Sequence, residues 1–74
     1  MVEIVMYLNA VRNKVLIASY AIIKGVDSKY YLSSRPFLSL VDSIAFSSVN
    51  ELVDYYREEC EEGCEIETRG KYYR

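Results

Sequence analysis

Residues 14–24 read KVLIASYAIIK. Whether this run is a strand or a helix decides the fold class. Val15, Ile17, Ile22 and Ile23 are β-branched and Tyr20 is aromatic, the types that fit a pleated surface. No charge falls between Lys14 and Lys24. The run predicts a central strand, buried on both faces for part of its length. The rival reading is a helix: Leu8, Val11, Val15, Ala18 and Ile22 recur at helical spacing, and Gly25 stands where a residue after a C-cap would. The β-branched content and the two asparagines ahead of the run, Asn9 and Asn13, favour the strand.

Residues 2–8 (VEIVMYL) alternate loosely and predict a first strand, with turn chemistry over residues 9–13. Residues 25–28 (GVDS) mark a second turn, and residues 29–34 (KYYLSS) a third strand. Arg35-Pro36 should interrupt that strand, because proline donates nothing to a ladder. Residues 37–46 (FLSLVDSIAF) fit a short strand or an irregular crossing. Ser48 with Glu51 three residues on is a capping box. Val49, Leu52, Val53, Tyr56 and Cys60 then form one helical stripe, which Gly63 should end. The expected helix spans about residues 48–62, followed by a closing strand over 64–68 and a basic tail over 69–74. The expected fold is α+β: a small, mainly antiparallel sheet of three to five strands with one amphipathic helix packed on it. Tyr56, Leu52 and Val53 should meet Leu16, Ala18 and Ile22, or the neighbours of opposite parity.

The 74 residues, 51% hydrophobic and 27% charged, describe one small globular domain and exclude a disordered chain or a multidomain enzyme. A core of this size contributes only about 3–5 kcal/mol of net stability, unless an oligomer or a partner adds to it. The longest apolar run, residues 15–23, is far short of the ~20 residues a membrane span needs. It imitates a signal peptide only faintly, so no targeting segment and no membrane partner are expected.

Charge is unevenly placed. Residues 1–49 carry three acids against five bases, residues 50–67 carry eight acids against Arg57 alone, and residues 68–74 carry Arg69, Lys71 and Arg74. On the expected helix, Glu51, Asp54, Glu58, Glu61 and Glu62 fall opposite the apolar stripe. Acids one turn apart, about 5.4 Å, are spaced roughly as phosphates are along a nucleic-acid strand. The functional reading is a negative rod that meets a basic groove on another protein, and nucleic acid is disfavoured as a partner. The plainer reading is a solvated helix face. The tyrosine pairs Tyr30-Tyr31, Tyr55-Tyr56 and Tyr72-Tyr73 suit an interface as well as ordinary packing. Tyr30 and Tyr55 are the candidates to stand beside the acids. The tail RGKYYR, residues 69–74, suits pairing with the acidic face of a second copy better than it suits a nucleic acid.

Enzyme chemistry is not expected. The chain has no histidine, which removes the commonest general base and metal ligand. An exposed acidic face gives no contrast between two carboxyl groups for acid–base work. Two cysteines cannot complete a structural zinc site, and no cofactor or metal is expected. Cys60 and Cys64 in so short a chain fit a reducing, cytoplasmic setting, since a secreted chain would carry four or more. A single Cys60–Cys64 bridge, closing a tiny loop, is the alternative.

Two resemblances follow from these segments. KYYLSS (29–34) with AFSSVNELVDYYRE (45–58) looks like the later strands and second helix of SH2 domains. The family's arginine motif for phosphotyrosine is missing, and Arg12 and Arg35 lie in other contexts, so phosphopeptide binding is not carried over. The order YAIIKG (20–25), KYYLSS, FSSVNELVDY (46–55) and GCEIE (63–67) resembles small phage- or prophage-borne proteins, among them anti-CRISPR and related anti-defence inhibitors. That resemblance implies a small acidic non-enzymatic viral protein that blocks a site, with Glu51, Asp54 and Glu58 making the contact. The expected function is therefore an inhibitor or adaptor that occludes a basic site. The alternative is a peptide- or nucleic-acid-binding module, often a homo-oligomer, that uses a strand edge or the basic tail.

Overall fold

Asn13 and Lys14 both adopt positive φ, 50° and 65°. That is the two-residue type I′ turn whose twist matches that of the strands it joins. It connects β1 (Glu3–Arg12) to β2 (Val15–Lys24), so residues 15–24 are strand, Lys14 belongs to the turn, and the helical alternative falls. The computed structural model describes residues 3–34, 40–60 and 62–70. The expected interruption at Arg35-Pro36, Glu61 and tail residues 71–74 lie outside the described residues.

β3 (Tyr30–Ser34), α1 (Val49–Glu59) and β4 (Cys64–Gly70) complete the chain. The strands form one antiparallel sheet in the order β3-β2-β1-β4. The architecture is the small α+β fold with one helix on the sheet. α1 touches both edge strands, so it crosses the sheet. Leu52 and Val53 of α1 meet Leu8, Ile22, Leu32 and Phe46 in the buried core.

Several elements end away from their expected places. β1 runs to Arg12, and Asn9, expected in a turn, pairs with Ser19 and accepts a bond from its hydroxyl at 2.8 Å. Two bulges interrupt the β1–β2 register. Val5 is the extra residue on β1, and Ile17 is the extra residue on β2. A bulge breaks strict alternation and sharpens twist. The helix stops at Glu59, short of residue 62, because Cys60 turns extended and its side chain is bonded to Cys64. Gly63, at φ +86°, serves the turn after the helix. Arg69 and Gly70 belong to β4 and not to a tail.

The crossing at residues 40–46 follows the outer edge of β3. Tyr30 and Phe46 exchange both backbone bonds at 2.9 Å, and Val41 N–H donates to Leu32 C=O at 3.0 Å. β3 reaches along β2 only to the Tyr20↔Ser34 pair. Among the described residues, residues 15–18 therefore have a strand on one side only.

The helix parity is now settled. Ile22 is fully buried beneath α1, with Tyr20 partly buried beside it. Leu16 is not part of that core and is 57% exposed. The extra residue at Ile17 inverts the alternation, so Leu16 pairs with Val11 on the face away from the helix. The expected Leu16 contact fails for that reason.

Candidate functional site

Helix α1 is anchored by local chemistry. Ser48 Oγ accepts from Glu51 N–H at 3.1 Å, capping an otherwise unpaired amide. Leu52 and Val53 are buried and Val49 and Tyr56 half-buried, so the stripe faces the sheet. Rotation at about 100° per residue then turns Glu51, Asp54 and Glu58 outward, and all three are exposed. Glu62 is exposed too, beyond the helix end, so it does not continue the row as expected. The only basic residue within α1 is Arg57, whose Nη1 lies 4.0 Å from Asp54 Oδ1. Both side chains are more than half exposed, and a surface pair of that kind contributes about 0–1 kcal/mol.

The tyrosines are placed otherwise than expected. Tyr55 packs against Phe46, with ring centroids 5.4 Å apart, and edge-on to Tyr56 at 5.0 Å. It is half-buried against the core. That partial burial, with Glu59 beside it, raises the pKa of its hydroxyl. Tyr30 is also half-buried on the core, with Lys24 Nζ 6.0 Å from its ring centre. Tyr55 has the acid Glu59 beside it, and neither ring is fully exposed. Both brace the structure beneath them.

Two further polar contacts were not foreseen. Tyr56 Oη donates to Asp42 Oδ2 at 2.9 Å; burial first, then this carboxylate, pushes the Tyr56 pKa well above its ordinary value. Tyr31 Oη donates to Asp27 Oδ2 at 2.5 Å, and Lys29 N–H donates to Asp27 Oδ1 at 3.0 Å. The Tyr31 bond, then the Lys29 amide, hold the Asp27 carboxyl below the usual range.

Cys60 and Cys64 form a disulfide across a Cα–Cα distance of 5.9 Å. The expectation of two free thiols is corrected in favour of the alternative, the single bridge that closes a tiny loop. Among the described residues, no three His, Cys, Asp or Glu side chains gather where they could hold a metal ion. Nor is any described helix long and apolar enough to cross a membrane.

A second surface escaped the sequence reading. Val15 (61%), Leu16 (57%) and Ile17 (52%) are exposed at the hairpin end of β2. The apolar run suggested burial there. The available warning was length: an eleven-residue run predicted beside a six-residue strand must leave one end uncovered. On the face away from α1 lies an open trough of 670 Å³, whose lining includes Val11 and Leu16 with Lys14, Glu65, Glu67 and Arg69. Comparison with known proteins finds no matching family model, curated protein or solved structure.

Proposed function

We propose that this chain is a small non-enzymatic protein-binding domain, an inhibitor or adaptor that occludes a basic site on its partner with the outer face of α1. The supporting observation is that Glu51, Asp54 and Glu58 are exposed along one helix whose only base is Arg57. The buried stripe beneath holds the row on a rigid element, so little side-chain order is lost elsewhere on docking. The field of such a row steers a basic partner and weakens as salt screens it. The resemblance to phage-borne inhibitors points the same way.

The test is capture of binding proteins from cell extract by the parent and by the Glu51→Lys/Asp54→Lys/Glu58→Lys variant, with both folds checked by circular dichroism. A partner held by the parent, eluted by salt and lost from the variant supports this reading. Equal capture by both proteins refutes it.

A second reading, an extended peptide added to the sheet, rests on residues 15–18 of β2, which among the described residues have a strand on one side only. Backbone bonds along a free edge are a common means of taking up a peptide strand. Under this reading the partner would protect amides within residues 15–18 from hydrogen exchange and leave α1 untouched.

A further inference from the structure

We propose that the Cys60–Cys64 bridge is a reversible redox clasp that holds the last turn of α1, and Glu58 with it, in place. This adds a means of regulation to the acid face and rests on the α1 reading for its use.

The last turn of α1 is weak by its own sequence. Glu58 and Glu59 stand at the C-terminal end of the helix, where the peptide dipoles already present negative charge, and Arg57 is the one base in that turn. Cys60 beyond it is extended, and its N–H reaches Arg57 C=O at 3.4 Å, longer than an ordinary hydrogen bond. The disulfide ties this end to Cys64, the first residue of β4, which pairs with Arg12 of β1. The bond therefore fastens a weak helix end to a sheet that is held by other means.

Both redox states remain folded. Neither cysteine belongs to the core cluster around Leu8, Ile22 and Leu52. Leu52 and Val53 keep the middle of α1 on the sheet, and the ladder from Met6↔Gly70 to Arg12↔Cys64 keeps β4 on β1. The two cysteines are four residues apart, so the loop they close restricts the unfolded chain only modestly, and the reduced thiols stay near enough to rejoin.

The sulfurs are also within reach. Both cysteines are only partly buried, and they line an open surface hollow of 390 Å³ with Arg57, Glu65 and Ile66. A dithiol reductant attacks one sulfur as a thiolate and forms a mixed disulfide, and its second thiol then displaces the protein. Two electrons and two protons pass to the protein. The S–S bond breaks, Cys60 and Cys64 become thiols, and the reductant closes to its own disulfide. The last turn of α1 then frays, and Glu58 leaves the row with Glu51 and Asp54.

Backbone ¹⁵N relaxation on the free protein tests the clasp. The parent is compared in its bridged form, with excess dithiothreitol, and after reoxidation, with thiol alkylation and mass reporting the redox state. Order parameters at residues 57–59 should fall from about 0.85 to below about 0.6 on reduction and return on reoxidation, while residues 51–54 stay near 0.85. Cys60→Ser/Cys64→Ser should match the reduced parent. Unchanged order on confirmed reduction overturns the proposal. So does a domain that unfolds on reduction, or a bridge that resists excess dithiothreitol in the folded protein. In the capture experiment, the paired serine variant should hold the partner at least about threefold more weakly than the bridged parent, because Glu58 must be ordered again on docking. Equal holding by the two overturns the regulation. Should the α1 reading itself fail, through equal capture by the parent and the triple-lysine variant, relaxation on the free protein still decides the clasp.

Discussion

Tyr56 Oη and Asp42 Oδ2, 2.9 Å apart, tie the middle of α1 to the crossing that covers the edge of β3. Fourteen residues separate them in sequence, so the bond fixes two parts of the chain that no strand ladder joins. Tyr56 also packs edge-on to Phe46 at 6.0 Å. The hydroxyl and the ring therefore anchor the same corner.

The first prediction concerns alkaline stability. The folded pKa of Tyr56 is raised above its ordinary value of 10.0, so the folded state holds that proton more tightly than the unfolded one. The associated stability is fully present below pH 10 and is lost as pH rises through the folded pKa. Tyr56→Phe should cost about 0.5–1 kcal/mol at neutral pH through the lost hydrogen bond. The variant should also melt with a shallower fall at alkaline pH than the parent. Denaturant melts across the alkaline range measure both effects. Equal slopes for the two proteins would exclude this role for the hydroxyl.

How much of this was legible in the sequence depends on how local each cause is. The start of α1 was readable because Ser48, Glu51 and the Leu52/Val53 stripe act within a few residues. The strand nature of residues 15–24 was readable from its β-branched content. The exposure of Leu16 was not, since the bulge at Ile17 exists only in its pairing with β1. The end of α1 was misplaced because the Cys60–Cys64 bond depends on three-dimensional approach. Of the candidate site, the outward Glu51, Asp54 and Glu58 followed from periodicity alone. Burial of Tyr30 and Tyr55 depends on Phe46, and the bridge that positions Phe46 on Tyr30 has no local signature.

The second prediction concerns the hairpin turn. Lys14 sits at φ 65°, where glycine is favoured and a side chain is disfavoured. Lys14→Gly should stabilise the fold by about 0.5–1 kcal/mol, while Asn13→Ala should destabilise it. Urea melts at a protein concentration too low for self-association give the comparison. A loss of stability in Lys14→Gly would show that the lysine makes a compensating contact.

The third prediction concerns the bridge. Cys60 and Cys64 are four residues apart, and closing so short a loop restricts the unfolded chain only modestly. The loop-entropy relation gives about 2 kcal/mol. Reduction, or paired Cys60→Ser and Cys64→Ser, should lower the melting temperature accordingly and loosen the end of α1. Hydrogen exchange at residues 57–60 would report that loosening. Unchanged melting on confirmed reduction would mean that the native fold does not depend on the bond.

The fourth prediction contrasts two leucines. Leu52 is 0% exposed at the centre of the core, whereas Leu16 is 57% exposed on the opposite face. Leu52→Ala removes buried atoms and leaves a cavity, at a cost of about 2–5 kcal/mol. That equals most of the ~3–5 kcal/mol expected for a domain of this length, so the variant should be largely unfolded near physiological temperature. Leu16→Ala, in dilute monomer, should change stability by less than about 0.5 kcal/mol. Thermal melts followed by circular dichroism separate the two outcomes. A large cost at Leu16 in dilute solution would place it under the helix after all.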